Sequence, residues 1–291
     1  STINAQQASM GEWIVDRRKL LTATAATLAA TAIPSAPAVG QPATTAAERK
    51  TYVLVHGTWL GGWSWQRVRR IMQAAGHELH SPSLTGCGDR KHLMSREVGL
   101  QTHINDIVNL IEYEELDNVI LVGHSFAGIT ITGIADQLRG RIRRLVYFDA
   151  LVPEGERMSG VQKGPNGELP EKWLKRQEKF IDGYQMDFFA EYPMKMLIPD
   201  GDTANADWAR RRLTPHPARG WSDDLVVHNG GYTGLPKSYV LCTGQEFAQS
   251  SEFMYGPAKR QPGWEFIEFP YPRAPMMTHP EPTAELLLKM S

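Results

Sequence analysis

The residue with the clearest chemical signal in the sequence is Ser125, which stands in the run Gly123-His124-Ser125-Phe126-Ala127. Four apolar, mostly β-branched residues precede this run, from Val119 to Val122, and a helical pattern of apolar residues follows it. A serine at a sharp turn between a strand and a helix has its hydroxyl exposed, as a nucleophile requires. This context predicts a nucleophilic Ser125. His124 is predicted to be a structural neighbour at the substrate pocket, with its side chain facing away from the serine.

A second chemical signal lies in His56-Gly57-Thr58-Trp59, directly after an apolar strand pattern. Two backbone N–H groups aimed at a developing oxyanion stabilise the transition state of acyl transfer. We predict that Phe126 supplies one of these groups and that Thr58 or Trp59 supplies the other, with Trp59 also lining the substrate pocket. The alternative is a glycine-rich turn that only leads into a helix, which Gly61-Gly62 would also suit. The oxyanion role is favoured because this loop should lie beside the serine turn.

The elements that must position these residues alternate along the chain as strand, helix, strand, helix. Apolar runs predict strands at residues 51–55, 78–81, 119–122 and 144–149, and helical periodicity predicts helices at about 64–75 and 100–113. Such alternation indicates an α/β class protein with a mostly parallel sheet and helices on both faces. The sheet should resume at 238–242 and 264–269, and a helix over 282–290 should close the chain.

The alternation breaks at Pro153, after which the chain is rich in Gly, Pro, Met and aromatic residues until about 236. We therefore predict a first core part at 51–152, an inserted and mainly helical cap at 153–236, and a second core part at 237–291. A cap over the carboxyl edge of the sheet would cover the place where open α/β sheets bind ligands. The aromatic residues could equally form only the cap's own core.

The N-terminal residues carry the marks of an export signal. Asp16-Arg17-Arg18-Lys19 leads into an Ala/Thr-rich apolar run that ends near Ile33, and Ala36-Pro37-Ala38 resembles a cleavage site. The paired arginines are typical of a twin-arginine signal. We predict an extension and signal at 1–38, a linker at 39–50, and an exported, periplasmic or secreted protein. A disordered tail is the alternative.

Composition excludes several classes of partner. The 291-residue chain has a formal net charge of -1, which gives no electrostatic reason to expect nucleic acid or an anionic membrane surface. The apolar run near the N-terminus is too short to span a bilayer, which needs roughly 20 residues. The two cysteines, Cys87 and Cys242, are not predicted to pair, and no metal site is predicted. Nothing in the sequence indicates an oligomeric state.

Several short segments, in this order, resemble the α/β-hydrolases that include plant methyl-ester esterases, hydroxynitrile lyases and bacterial pyrethroid-type carboxylesterases. The segments that carry the resemblance are Val53-Leu54-Val55-His56-Gly57, Gly62-Trp63-Ser64-Trp65, Ala75-Gly76-His77, Leu84-Thr85-Gly86, Val122-Gly123-His124-Ser125 and Tyr147-Phe148-Asp149-Ala150. The resemblance covers about Thr51 to Met290. It implies an α/β-hydrolase fold, a serine carboxylesterase-like site, no cofactor, and a helical cap over an apolar pocket.

The sequence departs from this family at both positions that should assist the serine. The family's acid follows the strand Tyr239–Thr243, where this chain has Gln245, with Glu246 one step further. The family's histidine precedes a Met and a Pro, which places Arg273 at its position. A guanidinium stays protonated at neutral pH and cannot act as a base. Gln245 and Arg273 are therefore predicted to lie in the pocket, where they replace the family's acid and histidine.

Other residues could restore a catalytic set. His279 is the histidine nearest in sequence to the substituted position, six residues later, and is the candidate base. Glu246, or Asp149 at the end of the strand after the serine helix, is the candidate acid. A surface position for His279 and a structural role for Asp149 are the alternatives. Geometry is the first test of a candidate base.

Three functions follow from these residues. The first is a serine esterase that hydrolyses small hydrophobic esters with a relocated base. The second is a lyase, isomerase or cyclase-like enzyme in which Arg273 binds a carboxylate or stabilises an enolate. The third is a non-catalytic protein that binds a ligand in the same pocket. The expected partner in each case is a small hydrophobic molecule that contains an ester or a carboxylate.

Overall fold

The structure is a computed structural model that describes residues 48–155, 157–245 and 252–290. The predicted export signal and the predicted acid Glu246 lie outside these residues, so both stay predictions. Residues 47–291 form one compact unit. None of the described helices is long and apolar enough to cross a membrane.

Strands and helices alternate through most of the chain. The strands are β1 (Thr51–Val55), β2 (Glu78–His80), β3 (Val119–His124), β4 (Ile142–Phe148), β5 (Arg157–Met158), β6 (Gln185–Met186), β7 (His216–Pro217), β8 (Leu225–Val226), β9 (Lys237–Cys242) and β10 (Trp264–Phe269). The helices are α1 (Gln66–Ala74), α2 (Leu100–Tyr113), α3 (Ala127–Gln137), α4 (Glu171–Gln177), α5 (Phe188–Glu191), α6 (Thr203–Arg210), α7 (Arg219–Ser222), α8 (Glu252–Arg260), α9 (Pro275–Thr278) and α10 (Pro280–Lys289). Short 3-10 helices occupy Gly62–Trp65, Gly88–Leu93, Arg139–Arg141 and Met194–Met196.

In the described part of the chain, six strands form one sheet in the order β10-β9-β4-β3-β1-β2. Each pair of neighbouring strands in this sheet is parallel. The strands β1 and β3 are interior strands of this sheet and consist mostly of buried apolar residues, as expected when helices cover both faces of a parallel sheet. The predicted α/β fold with a mostly parallel sheet is confirmed.

Two hydrophobic clusters lie on the two faces of the sheet because successive strand side chains point in opposite directions. On β3, Leu121 belongs to one cluster and Val122 to the other. The helix α2 buries Ile104, Ile107 and Ile111 in the first cluster, which are the residues whose spacing predicted the helix. The apolar spacing therefore determines which face each element covers.

Residues 153–236, referred to below as the insertion, stand between β4 and β9 and contain short elements only. Several of their aromatic and apolar side chains, Trp173, Phe180, Met186 and Phe188, are buried in the second hydrophobic cluster. Trp59, in the loop after β1, donates through Nε1 to the carbonyl of Met186 at 3.0 Å. The insertion thus packs on the loop that the sequence predicts beside the serine turn.

The bounds of two predicted helices differ from the structure. The helix predicted at 64–75 begins as the 3-10 turn Gly62–Trp65 and continues as α1. The closing helix begins at Pro280 rather than at residue 282. A proline in the first turn is favourable because the N–H that it lacks has no partner there.

Candidate active site

Ser125 lies at the sharp turn between β3 and α3. Its φ angle is 55°, a left-handed conformation that a residue other than glycine adopts rarely and at a cost. Three backbone hydrogen bonds support the turn: the Ser125 N–H donates to the carbonyl of Phe148 at 3.2 Å, and the carbonyl of Ser125 accepts from the Leu151 N–H at 2.8 Å and from the Gly128 N–H at 3.3 Å. A side chain at Gly123 would lie 2.9 Å from the carbonyl of Ala127, so this position requires glycine. The side chain of Ser125 remains partly accessible at the end of β3.

The loop after β1 lies directly against this turn. A Cβ atom at Gly57 would stand 2.8 Å from Ser125 Cβ and 3.0 Å from the carbonyl of His124. Within the described residues, the backbone N–H groups of Thr58 and Phe126 donate no hydrogen bond to the protein. The structure therefore places two unused backbone donors next to Ser125, one in each of the two loops that the sequence singled out.

Arg273 contacts the serine and an acid at the same time. Its Nη2 donates to Ser125 Oγ at 3.2 Å, and its Nη1 donates to Asp149 Oδ2 at 3.1 Å. The side chain of Arg273 is 12 % exposed and that of Asp149 is 0 % exposed. The guanidinium thus lies between the Ser125 hydroxyl and the Asp149 carboxylate, the position that an imidazole has in a catalytic triad.

Asp149 is held by donors from three directions. In addition to Arg273, Gln245 Nε2 donates to Oδ2 at 3.0 Å and the Cys242 N–H donates to Oδ1 at 3.3 Å. Burial raises the pKa of the Asp149 carboxyl above its ordinary value, while the charge of Arg273 and these hydrogen bonds oppose the shift. Gln245, which the sequence predicts at the family's acid position, thus binds the carboxylate of a different residue through its amide.

His124 fixes the segment that carries Arg273. Its Nε2 lies 3.0 Å from the carbonyl of Arg273, and its ring makes an edge contact with Trp65 at 6.4 Å between centroids. Burial lowers the pKa of His124 to about 3, and the charge of Arg273 contributes to the same shift. The ring is therefore neutral, and Nε2–H donates to the carbonyl. His124 is fully buried and holds the backbone of Arg273 in place through this hydrogen bond.

The structure does not bring His279 to the serine. His279 Nδ1 bonds Thr278 Oγ1 at 2.9 Å, and its ring lies 4.7 Å from the ring of Tyr271. Among the described residues its ring makes no hydrogen bond to Ser125. The physical reason is that α9 separates it from Arg273 and leaves it at the start of α10.

A tryptophan of the insertion completes the surroundings of the serine turn. Trp221 Nε1 donates to Thr58 Oγ1 at 3.0 Å, and its ring stacks on Phe126 at 4.8 Å between centroids. It thus contacts both residues whose N–H groups are unused. The sequence offered no spacing that would single out Trp221 from the other aromatic residues of the insertion.

A second residue that the sequence did not indicate is Met254, in α8. Its sulfur lies 3.8 Å from Arg273 Nη2.

Among the described residues, no group of three or more His, Cys, Asp or Glu side chains is arranged to hold a metal ion. The functional groups at the site that could bind or react with a substrate are therefore a hydroxyl, two backbone N–H groups, a guanidinium and a carboxylate.

Comparison with known proteins agrees with this geometry. Residues 52–286 match the alpha/beta hydrolase family. The carbendazim hydrolyzing esterase of Nocardioides sp. (strain SG-4G) is 36 % identical over 245 residues, covering 81 % of this chain and 97 % of that protein. Methylesterase 8 of Arabidopsis thaliana is 24 % identical over 200 residues, covering 66 % of this chain and 71 % of that protein.

A solved structure gives the same relationship. An extracellular alpha/beta-hydrolase from a Paenibacillus species, described as sharing structural and functional homology with Tobacco Salicylic Acid Binding Protein 2, has a TM-score of 0.69 and 25 % identity. The match covers 83 % of this chain and 99 % of that one. The chain belongs to the alpha/beta hydrolase family, and its relatives identify it as an enzyme of the carboxylic ester hydrolase type. The resemblance deduced from the sequence is confirmed.

Proposed function

We propose that this protein hydrolyses small hydrophobic carboxylic esters, with Ser125 as the nucleophile and the insertion as the cap of the pocket. The observation that carries the proposal is the left-handed Ser125 at the strand–helix turn, with the N–H groups of Thr58 and Phe126 unused beside it. The esterase names of its relatives support the same class of substrate.

In the proposed reaction, Ser125 Oγ attacks the ester carbonyl and the N–H groups of Thr58 and Phe126 bind the oxygen that becomes negative. Removing one such donor in a comparable site costs about 3–4 kcal/mol of transition-state stabilisation. The tetrahedral intermediate then expels the alcohol, which takes its proton from solvent, and water hydrolyses the acyl–Ser125 ester to release the acid. The close approach of the two loops at Gly57 supports a shared role for these two N–H groups.

Arg273 replaces proton transfer by electrostatic stabilisation in this proposal. A guanidinium accepts no proton, so the hydroxyl proton of Ser125 passes to solvent base. A positive charge 3.2 Å from a serine alkoxide is worth about 5 kcal/mol at an effective dielectric constant of about 20, before the opposing charge of Asp149 is counted. The expected consequence is slow hydrolysis whose rate increases with pH.

The test is turnover of a chromogenic short-chain ester by the unaltered protein and by Ser125→Ala. We expect hydrolysis above the buffer rate that Ser125→Ala abolishes, and covalent labelling of Ser125 by a fluorophosphonate. Ser95→Ala, at an exposed position, serves as the matched control and should change neither result. Equal turnover by Ser125→Ala and the unaltered protein would exclude Ser125 as the nucleophile.

A second function is favoured by one specific observation, the guanidinium within hydrogen-bond reach of Ser125. A planar, permanently charged fork binds a carboxylate in two parallel hydrogen bonds. In this alternative, Arg273 binds the carboxylate of a substrate or stabilises an enolate in a lyase or isomerase reaction, without attack by Ser125. Conversion of a carboxylate substrate that survives Ser125→Ala and is lost in Arg273→Gln would favour it over hydrolysis.

A further inference from the structure

A cleft of about 500 Å³ lies between the core and the insertion, away from the candidate active site. Its positively charged lining residues are Arg69 in α1, Lys91 in the 3-10 helix Gly88–Leu93, and Arg211 and Arg212 directly after α6. Ser125 and Arg273 are not among its lining residues. We refer to this feature as the basic cleft.

The charges of the basic cleft are not balanced. Asp89 is the carboxylate among the lining residues, and its side chain accepts a hydrogen bond from the Ser83 hydroxyl. Within the described parts of the chain, none of the four cations makes a salt bridge, whereas Arg90, next to Lys91, pairs with Asp106 at 3.3 Å. Like charges gathered in a concave site repel one another and attract an anion.

Several polar atoms of the lining also have no protein partner. Trp63 Nε1, Arg69 Nε and Ser81 Oγ are buried and form no hydrogen bond with any described residue. All three belong to residues that line the basic cleft. Buried polar groups are normally hydrogen-bonded, and unmatched donors on the wall of a cavity are typical of a ligand site.

We propose that the basic cleft binds a small oxyanion with two or more negative charges, such as a phosphate ester or a polycarboxylate. Arginine forks match the oxygen geometry of both groups, and the volume lies within the range of small-molecule pockets, roughly 300–1,000 Å³. A doubly charged ligand would offset the excess of positive charge.

The position of the basic cleft gives such a ligand a structural effect. Arg211 and Arg212 belong to the insertion, whereas Arg69 and Lys91 belong to the core. Next to them, the Thr214 N–H donates to the carbonyl of Trp59 at 3.1 Å, and Thr214 Oγ1 accepts from the Gly88 N–H at 3.0 Å. A bound anion therefore crosslinks the two parts at the place where Thr214 already joins them.

The test is calorimetric titration of the full chain with pyrophosphate and with citrate, at constant ionic strength set by sodium chloride. The pyrophosphate arm represents phosphate ligands and the citrate arm represents polycarboxylates. We expect at least one of them to bind, with an affinity that Arg211→Glu and Lys91→Glu each weaken by about tenfold or more. Both side chains are exposed, so neither substitution disturbs the core.

Arg210→Glu is the matched control, because Arg210 is exposed, lies one residue before Arg211, and stacks over Phe189 instead of lining the cleft. It should leave binding unchanged although it alters net charge equally. Loss of affinity in all three variants would indicate general charge attraction and overturn the proposal. Absence of binding by both probes, or binding that survives Arg211→Glu and Lys91→Glu, would also overturn it.

Discussion

Replacing Arg273 by histidine is the sharpest test of how this site works. Arg273 lies 3.2 Å from Ser125 Oγ and 3.1 Å from Asp149 Oδ2, so one side chain spans the gap between hydroxyl and carboxylate. An imidazole in this gap can accept the hydroxyl proton on one nitrogen and donate to Asp149 from the other. The substitution therefore replaces a fixed cation by a general base that has its acid in place.

The magnitude follows from what a base contributes. Removing the nucleophile–base unit of a serine hydrolase costs on the order of a millionfold in turnover, and general base catalysis alone is worth about 100-fold to 10,000-fold. We expect Arg273→His to raise kcat/KM for a short-chain ester by about 100-fold, or about 2.7 kcal/mol of transition-state free energy. The lower end applies because an imidazole is shorter than a guanidinium and must approach both partners.

The assay compares ester turnover over pH for the unaltered protein, Arg273→His and Arg273→Lys. Arg273→Lys retains the charge and should show no gain, while Arg273→His should gain a rate plateau where a histidine is neutral. Adding Ser125→Ala to Arg273→His should remove the gain. An Arg273→His protein that is folded and labelled at Ser125, yet no faster than the unaltered protein, would refute the reasoning.

Two further predictions concern the support of the site. Gly57→Ala inserts a methyl group 2.8 Å from Ser125 Cβ, so it should lower the free energy of unfolding in urea by about 1–3 kcal/mol and reduce turnover, whereas Gly140→Ala, with no atom within 4 Å, should do neither. Burial lowers the pKa of His56 to about 4 and that of His124 to about 3, so the unfolded chain binds protons below pH 6.5 before the folded chain does. The stability contributed by these neutral rings is present above pH 6.5 and is lost as the pH falls towards the folded pKa values. These two rings alone should make the free energy of unfolding in urea about 4 kcal/mol higher at pH 7 than at pH 5, and the buried His103 and His216, whose pKa values burial also lowers, act in the same direction. Equal stabilities at the two pH values would contradict the burial of neutral rings at these positions.

The core of the fold could be predicted from the sequence because its signals are local. The apolar run before Ser125 is a strand because buried parallel strands require continuous apolar residues, and the spacing in α2 is helical. The exact residue at which α1 starts could not be predicted, because the glycine pair Gly61-Gly62 is compatible both with a turn and with the start of a helix. Tight packing decides it: a Cβ atom at Gly62 would lie 2.0 Å from the carbonyl of Ser81, on the loop after β2.

The residues of the candidate site also differ in whether local sequence signals predict them. Ser125 and the loop at Gly57 are encoded by neighbours in the sequence, whereas the pair of Asp149 and Arg273 joins positions 124 residues apart. Sequence proximity therefore favoured His279 as a partner of the serine, although α9 intervenes. The two distant residues explain one another physically. A carboxylate with no exposed surface requires a cation or a proton, and removing one member of such a buried pair costs about 3–5 kcal/mol. Because Gln245, at the predicted acid position, is neutral, Asp149 supplies the negative charge that stabilises the buried guanidinium of Arg273. This ion pair holds the guanidinium within hydrogen-bond distance of Ser125.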